Sequence, residues 1–253
     1  MRSITGVARI GMVGLVLTCL TSSTIGGRQW ALLLPSVAAQ TTQPASTADP
    51  LTYQPLPQEA SEGIRLIGSV SRAGGPKELV LVVLAPDHAG LTIREQPTLY
   101  WYLAQETKYP VEVTLIDAQS PTPLVETLLP SPLPPGLHRV RLADYDVRLV
   151  PEMLYEWSVA LRVQRDRRSR DIITSGGIKR ITPSAGLRDA LAQASKTALP
   201  RLYAEASLWY DAIAILSDLI EAAPQERVLR QQRAALLRQV GLPEPAAYDL
   251  QNQ

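Results

Sequence analysis

The apolar residues of this chain change their spacing once, and that change divides it. From about residue 64 to 182 they alternate or run together in short blocks; from residue 184 they recur every third or fourth position. Period two belongs to a pleated strand and period 3.6 to a helix, so a β part precedes a helical part. Leu79 to Ala85 (LVLVVLA) is a continuous apolar run ending at Pro86, which suits a strand buried on both faces. In Thr98 to Ala104, Tyr100 and Tyr102 point one way and Leu99, Trp101 and Leu103 the other. Val111 to Ile116 alternates. Leu137 to Leu142 alternates with one slip, which predicts a bulge. Tyr155, Trp157, Val159, Leu161 and Val163 share one face of the clearest strand.

Turn residues punctuate these runs at Pro86-Asp87, Ser120-Pro121, Pro134-Pro135-Gly136 and Gly176-Gly177. The chain has 21 prolines, which are excluded from helix interiors and central strands and so favour β structure and loops. Short strands with no helical pattern between them predict an antiparallel sandwich or barrel. The phrase LVPEMLYEWSVAL has the look of an immunoglobulin-like or fibronectin-like domain, where a loop leads into a Tyr-x-Trp strand.

Past residue 184 the reading is helical. Ser184 is an N-cap for a short helix carrying Leu187 and Leu191. Leu202, Ala206, Trp209, Ile213, Leu216 and Ile220 form one stripe, predicting a single helix of about six turns that ends before Pro224. A further helix over about Glu226 to Val240 ends at Gly241 as its C′ residue. WYDAIAILSDLIEAAPQ, followed by another helix and GLPEPA, looks like a piece of tetratricopeptide repeat. The fold expected is therefore α+β: an antiparallel, immunoglobulin-like β-sandwich followed by a C-terminal segment of two to three helices.

The N-terminus reads as an address. Arg2 and Arg9 give a positive start, Ile10 to Leu20 a short apolar run, and Val37 and Ala39 the −3 and −1 residues of a cleavage site before Gln40. An uncleaved anchor and a lipoprotein acylated at Cys19 are the alternatives. Residues 40–63, rich in Thr, Pro, Gln, Ser and Ala, are expected to be a disordered linker. The domain plan is thus a signal peptide over 1–39, the linker over 40–63, a β-sandwich over 64–182, helices over 183–242 and a tail over 243–253. Localisation is expected to be exported, in the periplasm or at the cell surface, with no integral span after cleavage.

The inventory for chemistry is thin. Cys19 is the one cysteine, so a cleaved form has no thiol for catalysis, disulfides or metal. Net charge is +1, which excludes a global field toward nucleic acid or anionic lipid. His88 sits in a turn after a buried strand and His138 at the edge of another, and neither has the spacing of a metal site or a catalytic triad. Asp144 and Asp146, on one face of an extended ADYD, and Glu152 with Glu156 are the carboxylate pairs that could serve a glycosidase; a solvated loop explains the first pair as well. Arg165 to Arg170 (RDRRSR) reads as a charged hairpin tip, or as an anion or lipid-headgroup patch. Gly74-Gly75 and Gly176-Gly177 are too sparse for a phosphate loop and read as turns or bulges. No catalytic, cofactor-binding or metal residue is assigned, and the chain is not expected to be an enzyme.

The order of PTLYWYL, YEWSVAL, GGIKRI and LWYDAIAIL, within a match from about residue 68 to 242, resembles a bacterial family of unknown function, DUF928, common in cyanobacteria. The chain departs from it in a reduced Gly-rich stretch (Arg72, Gly74, Gly75) and in having Arg162-Val163 where the family often has a cysteine. The resemblance implies export and a two-part architecture, and supplies no activity. Two functions are expected to compete: an envelope interaction protein with a protein partner, and a glycan-binding or glycan-modifying protein using Asp144, Asp146 or an exposed Tyr100 and Tyr102 face.

Overall fold

A computed structural model describes residues 51–55, 80–120, 122–164 and 167–251. The expected signal peptide, Cys19, Gly74-Gly75 and most of the expected linker lie outside the described residues.

Eight strands follow in chain order: β1 (Leu81–Val83), β2 (Gly90–Thr92), β3 (Thr98–Leu103), β4 (Val111–Asp117), β5 (Pro123–Leu129), β6 (Gly136–Arg141), β7 (Leu154–Leu161) and β8 (Ile172–Arg180). They form two sheets, ordered β1-β3-β6 and β2-β8-β7-β4-β5. Every pairing is antiparallel except that of β2 with β8, which is parallel. Leu99, Trp101 and Leu103 from one sheet and Trp157, Val159 and Leu161 from the other are fully buried, as their alternation requires. Tyr155 is the second residue of β7, and its hydroxyl accepts the Val150 N–H at 3.0 Å, pinning the chain that leads into the strand.

Two expectations about the strands are corrected. The β3–β6 register runs without a break from Thr98↔Arg141 to Leu103↔Gly136, so the slip in LHRVRL is no bulge. Both faces of that sheet are covered: Leu137 stands opposite Tyr102 and Val140 opposite Leu99, so apolar residues on either face blur the alternation. The register shift falls instead between Leu115 and Ile116, where β4 meets β5. Gly176 and Gly177 are no turn either. They lie inside β8, opposite Trp157 and Glu156 of β7. A Cβ on Gly176 would stand 2.5 Å from the Ala85 Cβ and 3.2 Å from the Trp157 Nε1, so the sheets meet on bare backbone.

Five helices follow: α1 (Ala185–Gln193), α2 (Leu199–Glu205), α3 (Trp209–Ala222), α4 (Arg227–Gln239) and α5 (Pro243–Gln251). The Ser184 Oγ caps α1 by accepting the Leu187 N–H. The single six-turn helix is corrected to α2 and α3. Ser207, at φ +63°, breaks it. The Ser207 N–H donates to Ala204 O and the Leu208 N–H to Tyr203 O, the paired bonds that close a helix with a left-handed residue. Gly241 closes α4 in the same way, with Gly241 N–H on Arg238 O and Leu242 N–H on Leu237 O. The expected tail is α5, which buries Pro245, Ala246 and Asp249. Part of the expected linker is core as well: Leu51 and Tyr53 are both buried. No helix among the described residues is long and apolar enough to cross a membrane.

Three consecutive residues at the start of α3 join the helices to both sheets. The Trp209 Nε1–H donates to Leu84 O, just past β1, at 2.8 Å. The Tyr210 hydroxyl accepts from Trp157 Nε1 on β7 and donates to Gly177 O on β8, both at 2.8 Å. The Asp211 carboxylate accepts the Ile93 N–H, just past β2, at 3.0 Å. Arg94 Nε lies 3.1 Å from its other oxygen, an ion pair without the alignment of a hydrogen bond. Asp211 is fully buried, and burial pushes its carboxyl up to about 6 against the opposing pull of the Ile93 N–H and Arg94.

Two outcomes follow from this packing. Gly176→Ala should lower stability by about 1–3 kcal/mol through overpacking, and Ala85→Gly in the same chain should recover part of it, read by urea denaturation. For Asp211 the folded value lies above the unfolded one, so its stabilisation is full below about pH 4 and lost as pH rises through about 6, a change of about 3 kcal/mol. Asp211→Asn cannot titrate. Its stability relative to wild type should therefore rise across that window, and a flat difference would remove Asp211 as the cause.

Candidate binding cleft

The face of the β1-β3-β6 sheet that carries Tyr100 and Tyr102 is covered by helices. Tyr100 hydrogen-bonds with Ser217 of α3, and the Tyr102 ring lies 5.5 Å from that of Tyr248 on α5. Both tyrosines are buried, and burial raises both hydroxyls above their ordinary value, the Asp218 charge adding to it at Tyr100. The exposed aromatic platform expected for glycan stacking is therefore not on the surface.

Where this cover is incomplete a cleft of about 570 Å³ remains. Its walls are Leu137, His138 and Arg139 of β6, Ile220 and Glu221 of α3, Arg230 and Arg233 of α4, and Tyr248 and Asp249 of α5. The size lies within the range of ligand sites. The floor is a buried ionic network. Arg233 donates through Nε and Nη2 to both oxygens of Asp249, at 2.8 and 2.6 Å, and through Nη1 to Ser217 Oγ at 2.8 Å. Ser217 in turn donates to Ile213 O at 2.7 Å. Two parallel N–H···O bonds match the planar guanidinium to the carboxylate, a geometry lysine could not reproduce. One arginine thus ties α4 to α5 and to α3. At the rim, Arg139 pairs with Glu221 and hydrogen-bonds with Tyr100.

His138 stacks on Trp101, with centroids 4.4 Å apart and planes at 20°, and its Nε2 meets Pro134 O at 2.9 Å. Burial holds its imidazole below the ordinary value, the Pro134 carbonyl opposing. His138 pairs in register with Trp101, so its ring lies on the inter-sheet face of β6, and Leu137 and Arg139 are the β6 side chains on the cleft side.

The other residues singled out in the sequence do not converge. Asp144 and Asp146 sit on an exposed 3-10 turn over Leu142–Tyr145, not on an extended segment, and Asp146 closes it at φ 51°. Glu152 pairs with Lys179 at 2.9 Å, while Glu156 lies on β7 opposite Gly177. His88 bridges Asp87 at 3.0 Å and the Tyr53 hydroxyl at 2.9 Å, far along the chain from any other histidine. Of the basic run, Arg165 and Asp166 lie outside the described residues. Arg168 places both Nη atoms on the buried Glu112 of β4, at 2.8 and 2.7 Å, with Arg162 Nη1 on its other oxygen at 2.6 Å. Among the described residues no three His, Cys, Asp or Glu side chains come together as metal ligands. Sequence reasoning missed Arg233 and Asp249, which stand 16 residues apart across a helix that was not expected.

A family model described as Domain of Unknown Function (DUF928) matches residues 67–250 of the 253. The chain belongs to that family. No curated protein matches it. The DUF928 match ends within α5, so it takes in the sheets, every helix and all the residues that line the cleft.

In this DUF928 chain, Arg233→Met leaves Asp249 buried without its cation and should cost about 3–5 kcal/mol in chemical denaturation. Arg233→Met with Asp249→Leu removes both charges and should recover most of the loss; a double variant as unstable as the single one would refute the pairing as the cause.

Proposed function

We propose that this DUF928 protein is an exported, non-catalytic binding protein of the cell envelope, and that the cleft between the first sheet and the helices receives part of a partner protein. The observation that carries this reading is the chemistry of the cleft. Its charged groups are held by one another: Arg233 by Asp249 and Ser217, Arg139 by Glu221. A general acid or base needs a free proton position and a matched neighbour, whereas a paired, pre-shaped rim suits recognition. The N-terminal leader pattern supports export to the periplasm or the cell surface.

The architecture supports a binding module too. Taken as A-B-E and G-F-C-C′, the orders β1-β3-β6 and β8-β7-β4-β5 fit an immunoglobulin-like sandwich, and the Tyr155 hydroxyl on Val150 N–H fits its tyrosine corner. The α2–α3 and α4–α5 hairpins are the size of tetratricopeptide-type helix pairs. Glycan binding is the weaker reading, because Tyr100 and Tyr102 are buried and Asp144 and Asp146 are exposed away from the cleft.

The test is photo-crosslinking from Leu137 in intact envelopes with a tagged full-length chain, comparing wild type with Arg230→Glu on the cleft wall. One dominant crosslinked partner, lost in the charge-reversed variant at unchanged melting temperature, is expected. Equal recovery by both would move the binding surface elsewhere. N-terminal sequencing of the recovered chain should begin at Gln40, and a start at Met1 would make it a membrane-anchored protein.

A further inference from the structure

A second feature lies away from the cleft, where Leu51–Pro55 crosses the helices. The segment belongs to no helix or strand, and the way it is held differs from the way the strands are held. Gln239 of α4 grips it from both sides: its Oε1 accepts the Tyr53 N–H at 2.9 Å and its Nε2 donates to Leu51 O at 2.8 Å. At the α2–α3 turn, Gln54 donates its N–H to Ala204 O at 3.2 Å, and the Ser207 hydroxyl donates to Gln54 O. A side-chain amide presents a donor and an acceptor as a peptide unit does, so this grip reads an extended backbone whatever its side chains.

Two side chains supply the selectivity. Leu51 and Tyr53, two residues apart and both buried, enter the core. The Tyr53 ring packs edge-on against Trp209 at 5.1 Å, and its hydroxyl meets His88 Nε2 at 2.9 Å. A polar partner at the end of an aromatic pocket discriminates tyrosine from phenylalanine. Beyond Tyr53 and Pro55 the groove continues as a cavity of about 300 Å³, bounded by His88, Gln239 and Gly241, which the segment does not fill.

Backbone read by side chains, two anchored residues and room beyond the occupant together describe a peptide site with a peptide in it. We infer that the groove formed by the α2–α3 turn, α4 and the β1–β2 loop is a recognition site for an extended Leu-x-Tyr-x-Pro peptide, and that this chain's own Leu51–Pro55 is its exchangeable resident. This inference is independent of the cleft, which no residue of the segment lines.

The experiment uses the full chain with a specific protease site inserted after Pro57. Once cut, the segment is held by its contacts alone. A fluorescent synthetic peptide of residues 47–57 is then added and followed by anisotropy. Saturable exchange into the cut protein, none into the uncut protein, and binding about tenfold weaker for a Tyr53→Ala peptide or a Gln239→Ala groove are expected. Three results would overturn the inference: a cut fragment that neither leaves nor exchanges, a cut protein that loses its cooperative melt, or a Tyr53→Ala peptide that binds as well as the parent. The first two would make the segment an integral part of the core.

Discussion

The fold hangs on the first turn of α3. Trp209, Tyr210 and Asp211 are consecutive, so their side chains fan out at about 100° to one another, and each meets a different part of the β structure: the end of β1, the β7–β8 pair and the end of β2. Two sheets that touch on bare backbone at Gly176 have little area there to hold them. The indole and phenol bridge them, each with a polar tip satisfied inside the protein, which is the condition for burying such groups without penalty. The same helix carries Ser217, Ile220 and Glu221 to the cleft, so the cleft is built on the helix whose first turn joins the sheets.

Much of this was legible in the sequence, and the failures have causes. β1, β3, β4, β6 and β7 were read close to their observed bounds because alternation or unbroken apolarity is strong there. β2 and β5 were missed: GLT is three residues long, and PLVETLL lies at a sheet edge with Leu124 and Leu128 exposed, so neither has an inside and an outside to alternate between. β8 was hidden by Gly176-Gly177, which mean a turn by default and a close approach only when the facing sheet is known. The two helix ends make the contrast plainest. Gly241 announced its left-handed backbone; Ser207 adopts the same geometry with no such mark, so a stripe in perfect step ran straight through the break.

The candidate sites were harder to see, since they depend on residues far apart. Glu112, Arg162 and Arg168 looked like strand polarity and a charged tip, and they are one ionic cluster gathered on the buried Glu112. Arg233 and Asp249 looked like ordinary helix and tail polarity. What marks each is burial of a charge, which only the fold reveals. α4 then serves two surfaces: Arg233 looks into the cleft and Gln239, six residues on, grips Leu51–Pro55. At about 100° per residue these positions stand on different faces of the helix, which lets one element bound both.

The distance along the chain between Leu51 and Gln239 has a consequence for the order of assembly. They are 188 residues apart, the first near the start of the described chain and the second near its end. A polypeptide made from its N-terminus presents Leu51 and Tyr53 long before α4 exists to receive them. Closing so long a loop adds only slowly to the entropic cost, so the contact is late rather than weak. Until α4 has been made the pocket for Tyr53 lacks Gln239, so residues that emerge early wait on one of the last helices for their partner.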